Sequence, residues 1–229
     1  LNRAARRDSA NGLSFPCCTE APMKTEFLFA TPLIVVEPFR RQTDVARLAD
    51  TIRARSREDK GVTHSNDGGW QSGHDFLHWA GDEGKALAHA LQQVANKASL
   101  DFSTGQLTRD SLKWKVTAWA NINGKGMGNH AHYHPGAFWS ACFYADDGGI
   151  AGGESLGGAL EFNDPRGALP LMYAPRVKMG INGCLTAGLS ERFFPKTGQL
   201  VVFPSWLHHG VTRYDGDGTR VSVAFNLSL

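Results

Sequence analysis

The chain has 229 residues, 41% hydrophobic and 20% charged, the make-up of an ordinary globular protein with room for one sizeable core. A formal net charge of +2, with no basic stripe, argues against a nucleic-acid partner. No apolar run approaches the roughly 18 residues that span a bilayer, so no membrane partner is expected either.

Residues 1–22 are polar and arginine-bearing, without the apolar stretch of a secretory signal. Globular patterning begins at Met23, which suits a translation start. The expected organisation is a polar extension over 1–22 and a single domain over 23–229. Within it, a helical and strand-bearing part covers 23–105 and a β-rich core covers 106–229. Residues 27–36 read as one or two strands broken by Pro32. Residues 43–55 read as a helix capped by Thr43, with Val45, Leu48, Ala49 and Ile52 on one face. The stretch from His64 to Phe76 is turn-rich. A second helix is expected over 82–98, its apolar side carrying Leu87, Ala90, Leu91, Val94 and Ala98, with His89 at the surface.

Beyond residue 107 the pattern changes to strands. Residues 112–122 alternate Leu112, Trp114, Val116 and Ala118 against Lys113, Lys115 and Thr117. A histidine-bearing strand follows, then a strand over 138–144. The glycine-rich run at 146–158 has neither a G-K-[ST] nor a strand-borne G-x-G-x-x-G, so it reads as a long hairpin connection. Strands over 159–162, 177–181, 200–203, 209–213 and 220–227 complete the series. Two helices followed by about eight short strands predict a mainly β fold with flanking helices, a jelly roll with the helices on one outer face. Cys17, Cys18, Cys142 and Cys184 show no C-x-x-C spacing and read as reduced thiols, which favours a cytoplasmic location.

The chemistry concentrates in the histidines. Five of nine fall in two short segments, His130-x-His132-x-His134 and His208-His209. In an extended chain i, i+2 and i+4 share a face, and imidazole suits divalent iron, zinc, copper and nickel. His132 belongs to either H-x-H pair and is the firmest ligand. Its partner is His134 or His130. Pro135 ends regular pairing and leaves His134 at a strand end, which favours His134. Adjacent strand residues face opposite ways, so only one of His208 and His209 points inward. Arg220 and Ser222 share a face of the final strand. A guanidinium offers a planar fork that matches a carboxylate, and the serine hydroxyl can donate to the same anion. Phe138, Trp139 and Trp206 are candidates for a pocket wall or for the core.

Strand H-x-H, a long gap, a further histidine, then R-x-S: this order resembles the iron(II)- and 2-oxoglutarate-dependent dioxygenases. The stretch 113–227 resembles their prolyl-hydroxylase-like branch, in particular a group of uncharacterised bacterial and phage oxygenases. The resemblance is carried by HYHPG, SACFY, ALEFNDPR, FPSWLHHGV and TRVSVAFNL, and more loosely by NDGGWQS and FATP. It implies a double-stranded β-helix (jelly roll), Fe(II) as the metal, 2-oxoglutarate and O2 as co-substrates, and hydroxylation of an unknown substrate. It implies His132 and His209 as the two metal histidines, Arg220 as the clamp on the distal carboxylate of 2-oxoglutarate, Ser222 as its partner, and Tyr144 as a further hydrogen bond to the co-substrate. Asn121 and Asn123 are weaker candidates beside the site, as are His130 and His208. His134 stands where relatives carry Asp or Glu, and Asp75 or Glu161 is an alternative carboxylate. Two other readings fit the histidines: a cupin-type metalloenzyme that does not use 2-oxoglutarate, suggested by Gly126 six residues before His132, and a non-catalytic metal-binding jelly-roll module.

Overall fold

A computed structural model describes residues 24–103, 105, 112–152, 154–168, 172, 174–177 and 189–229. Met23, Cys17, Cys18 and Cys184 lie outside the described residues, as does all but Val177 of the strand expected at 177–181. The chain divides into a unit over Leu1–Ala30 and a compact unit over Thr31–Leu229. In the first, residues 24–30 carry neither helix nor strand.

The second unit holds two antiparallel sheets. The larger has six strands: β1 (Ile34–Val36), β3 (Trp70–Gln71), β4 (Lys115–Asn123), β6 (Trp139–Asp146), β9 (Leu200–Pro204) and β11 (Arg220–Ser228), in the order β1-β9-β6-β11-β4-β3. The smaller has five: β2 (Asn66–Asp67), β5 (Gly128–His132), β7 (Leu160–Asn163), β8 (Ser190–Phe193) and β10 (His209–Val211), in the order β2-β5-β10-β7-β8. The mainly β jelly roll with flanking helices is therefore the observed architecture.

Alternation along β11 explains the layering. Val221, Val223, Phe225 and Leu227 belong to the larger core cluster, together with Val45, Leu48, Ile52, Phe76, Leu87 and Leu91 of the helices. Those helices are α1 (Gln42–Glu58), α2 (Phe76–Trp79) and α3 (Gly81–Ala98), which lie on the outer face of the larger sheet as expected. The intervening residues of β11, Arg220, Ser222, Ala224 and Asn226, point the other way. Their register partners on that side include Tyr144 and Cys142. These two pack with Leu160, Phe162 and Val211 of the smaller sheet in a second core between the sheets.

Several elements differ from expectation for identifiable reasons. The strand at 27–36 shrinks to β1, after Pro32, which has no N–H to give a ladder. Thr43 does not cap α1: the helix starts a residue earlier, after an extended Arg41 that makes no side-chain cap. The turn-rich stretch contains two short strands and ends where the one-turn α2 begins, at Phe76. On α3, Ala98 is exposed, while Gly84, Ala88 and Ala95 are buried. The glycine-rich run is not a hairpin. It joins β6 and β7, which lie in different sheets, and it forms two 3-10 turns at Ile150–Gly152 and Glu154–Leu156.

Among the described residues no helix is long and apolar enough to cross a membrane.

Candidate active site

The histidine cluster is set by strand register. β5 and β10 are antiparallel neighbours with His132 directly opposite His209, so both side chains leave the same face of the smaller sheet at cross-strand distance. β5 ends at His132. The expectation that one strand presents all three imidazoles of the run is thus corrected. His134 joins from just beyond the strand, where its N–H donates to the Ser205 carbonyl at 3.3 Å. One ligand atom each from His132, His134 and His209 lie within 4.8 Å of one another.

The tautomers of two rings follow from their bonds. His132 Nδ1 lies 2.7 Å from the His130 carbonyl, and His209 Nδ1 lies 2.7 Å from the Leu207 carbonyl. A carbonyl only accepts, so each Nδ1 carries the proton and each Nε2 keeps its lone pair for a metal. Burial pushes the His134 imidazole down to about 4, with His132 adding to the effect. Burial likewise lowers His209 to about 3, against the bond to Leu207, and lowers His132. All three are therefore neutral near pH 7, as metal ligands must be. Phe203 and Trp119 enclose the cluster, with ring centroids 4.6 Å from His209 and 5.7 Å from His134.

The remaining histidines of the two motifs stand aside. His130 is exposed and contributes its carbonyl. His208 is held by Asn163, 2.6 Å from its Nδ1, and stacks on Tyr133 at 4.5 Å. Neither alternative carboxylate reaches the cluster. Asp75 accepts from Trp79 Nε1 and pairs with Arg55 at 3.7 Å. Glu161 accepts from Ser190 Oγ and pairs with Arg192 at 3.4 Å. Among the described residues, the donor set is three neutral imidazoles, and that set fits a first-row divalent metal.

Arg220 opens β11 in the middle of the larger sheet. It is 1% exposed, and none of its three guanidinium nitrogens has a hydrogen-bond partner among the described residues. A buried unpaired cation is costly, and a guanidinium fork is shaped for a carboxylate. Its neighbours on the inner face suit an anion too. Ser222 and Tyr144 lie opposite each other in the register, and the Tyr144 ring sits 5.5 Å from the guanidinium carbon. The Tyr144 hydroxyl is fully buried and without a partner among the described residues. Burial holds it well above the usual phenol range, so it stays a neutral donor. Burial also raises the Cys142 thiol, against the nearby Tyr144, Arg220 and Ser222. Asn121 pairs with Ser222 in the register and has a buried, unpartnered Oδ1. Asn123, opposite Arg220, instead donates to the Gly128 carbonyl at 3.4 Å.

The glycine-rich run has a role that composition alone did not reveal. A Cβ at Gly148 would lie 2.8 Å from Arg220 Cγ, and one at Gly158 would lie 3.0 Å from its Cδ and 3.2 Å from its Nε. Both glycines have positive φ, +67° and +70°. Tyr214 locks the run by donating to the Gly148 carbonyl at 2.6 Å. The loop that looked like a connection is a cover for the arginine, and only glycine lets it approach so closely.

A cavity of about 410 Å³ opens at the other end of β11, beside His132 and His134. Of the aromatic candidates, Trp139 is in the core and donates to Ser99 Oγ at 2.8 Å, while Phe138 and Trp206 are more than half exposed. The cavity wall is formed instead by Trp119, with Gln71, His74, Thr117 and Asn226. The signal was present in the sequence, since Thr117, Trp119, Asn121 and Asn123 share one face of β4.

Residues 117–226 match the family described as "Putative 2OG-Fe(II) oxygenase". This stretch belongs to the 2OG-Fe(II) oxygenases. The matched stretch runs from β4 to β11 and contains the histidine cluster and Arg220. No curated protein sequence matches the chain. Solved structures agree on the fold. A prolyl-4-hydroxylase from Pseudomonas putida is 17% identical, with a TM-score of 0.57 over 86% of this chain and 91% of that one. A viral collagen prolyl hydroxylase from Paramecium bursaria Chlorella virus-1, in its 2OG complex, is 12% identical, with a TM-score of 0.54 over 86% and 96%. HygX from Streptomyces hygroscopicus, with nickel and 2-oxoglutarate bound, is 13% identical, with a TM-score of 0.53 over 86% and 83%.

Two outcomes follow from this geometry. In Gly158→Ala the left-handed backbone costs about 1–2 kcal/mol, and the new methyl displaces Arg220. Thermal unfolding is expected at a lower temperature, together with weaker 2-oxoglutarate binding by calorimetry; unchanged affinity contradicts the covering role. The second concerns acid. The folded-state values of His134 and His209 lie below 6.5, so the unfolded chain binds protons that the folded one refuses. Their contribution is complete above about pH 6.5 and declines as the pH falls toward their folded values. The Tm of the metal-free protein should therefore fall between pH 7 and pH 5, and a flat profile over that range contradicts neutral, buried imidazoles.

Proposed function

We propose that this oxygenase is an Fe(II)- and 2-oxoglutarate-dependent dioxygenase that hydroxylates its substrate. The observation that carries the reading is Arg220: a guanidinium buried with no hydrogen-bond partner among the described residues, on the inner face of the sheet opposite the three histidines. His132, His134 and His209 would hold the metal through one nitrogen each. Arg220 would take the distal carboxylate of 2-oxoglutarate, with Ser222 and Tyr144 donating beside it. Bound there, the iron and 2-oxoglutarate supply the oxidising chemistry: one atom of O2 enters a substrate C–H bond as hydroxyl, the other enters succinate, and CO2 leaves.

The chain's own contribution is placement and a dry setting. The Nδ1 bonds to the His130 and Leu207 carbonyls fix two rings and raise their basicity as ligands. Phe203, Phe162 and Trp119 pack around the cluster, and the glycine loop covers Arg220. A reducing, cytoplasmic setting suits such a site, because ferrous iron oxidises readily. The all-histidine donor set also suits a cupin-type metalloenzyme that does not use 2-oxoglutarate, but that reading leaves Arg220 buried with nothing to bind.

Replacing Arg220 with alanine removes the clamp and leaves the histidines untouched. Losing one partner of a buried charge pair costs about 2–5 kcal/mol, so the 2-oxoglutarate needed for half-maximal succinate release should rise about 100-fold. Metal content should stay at the wild-type level. Equal succinate production by the variant at limiting 2-oxoglutarate would sink the assignment.

A further inference from the structure

The cavity beside His132 and His134 is where a third molecule would meet the metal, and its wall has a specific chemistry. No Asp, Glu, Lys or Arg lines it among the described residues. Thr117 and Asn226 face each other across β4 and β11, while Gln71 comes from β3 at the edge of the sheet. Gln71 is 2% exposed, and its Oε1 has no partner among the described residues. It is a buried acceptor in the cavity wall. Asn226 is oriented the other way. Its Oδ1 accepts from Ser140 Oγ at 2.8 Å, which leaves its amide nitrogen as the free donor. The Trp119 indole stands between His74 and His134, at 5.4 and 5.7 Å. His64 stacks on His74 in parallel, at 6.1 Å and 9°.

We infer that this cavity selects a small, neutral, polyhydroxylated molecule, of the sugar or polyol class, as the substrate to be hydroxylated. The proposal rests on the oxygenase reading for the word substrate, and on the wall alone for the ligand class. A cation would meet no carboxylate there, and an acid would meet no lysine or arginine. A ring with an apolar C–H face would lie on Trp119, and its hydroxyl edge offers both a donor for Gln71 Oε1 and an acceptor for Asn226 Nδ2. The Thr117 and Ser228 hydroxyls extend the same edge. About 410 Å³ lies in the range of small-molecule sites.

The test uses the full chain loaded with Mn(II) and 2-oxoglutarate, titrated by calorimetry. The probes are glucose, myo-inositol and trehalose, with gluconate and glucosamine as charged counterparts of glucose and a neutral proline-containing peptide as a control. At least one neutral polyol should bind, and about tenfold or more tighter than either charged counterpart. Gln71→Leu should weaken that binding about tenfold with 2-oxoglutarate affinity unchanged. Asn226→Asp keeps an oxygen for Ser140 and turns a carboxylate toward the cavity, so it should shift preference toward glucosamine. Equal or tighter binding of gluconate or glucosamine to the wild type overturns the inference. So does tighter binding of the peptide, or binding of 2-oxoglutarate without any neutral polyol. Polyol binding without 2-oxoglutarate binding would instead defeat the oxygenase reading and support the ligand class.

Discussion

A guanidinium in the middle of a β-sandwich, with no ion-pair partner among the described residues, sets the terms for everything around it. Arg220 is 1% exposed and its nitrogens are unpartnered among the described residues. Such a charge is tolerated only where the surrounding fold is stable enough to hold it and where an anion repays the desolvation on binding. The rest of the site follows from that need. β11 runs between β4 and β6, so the arginine is anchored by ladders on both sides. Its outward-facing neighbours Val221, Val223 and Phe225 are locked into the helical layer. The Tyr144 ring lies close to the charge, and Gly148 and Gly158 bring backbone down upon it.

The metal end of the site obeys a different electrostatic rule. Three neutral imidazoles make up the donor set among the described residues, so a divalent ion here would keep one more unit of positive charge than it would with a carboxylate in the set. Two consequences are physical rather than genealogical. Affinity for the bare metal depends on imidazoles alone, and burial keeps His134 and His209 deprotonated well below neutral pH. The extra positive charge also strengthens the pull on an anionic co-substrate, in the same direction as Arg220. A dianion lying between the two ends would then meet positive charge at both, while no Asp, Glu, Lys or Arg lines the cavity beyond the histidines among the described residues.

Much of this was legible in the residues. The jelly-roll class came from the change of pattern after residue 107, and the four apolar positions of α1 came from their spacing. His132 and His209 could be paired only by type and order; their direct opposition is a matter of register, which no local pattern encodes. Pro135 marks the end of regular pairing, but the strand already stops at His132 and His134 lies beyond it. What stayed hidden was longer-range. The glycine run was read by composition as a connection, because its function lies in its contact with Arg220, some sixty residues later in the chain. Trp119 lies on the face of β4 that Thr117, Asn121 and Asn123 share, but the middle of that strand is buried on both faces, so burial alone does not single it out. β2, β3 and β8 were missed for simpler reasons: two have only two residues, and Ser190–Phe193 carries two charges.

On the proposed reading, the histidine cluster and Arg220 would together form one binding site for a metal and 2-oxoglutarate. Its most direct test is an anaerobic titration of the Fe(II)-loaded protein with 2-oxoglutarate, followed by visible absorption. A weak band is expected that saturates with 2-oxoglutarate, disappears in His209→Ala, and in Arg220→Ala is reached only at much higher 2-oxoglutarate. Stoichiometric iron binding with no band at any 2-oxoglutarate concentration would contradict it.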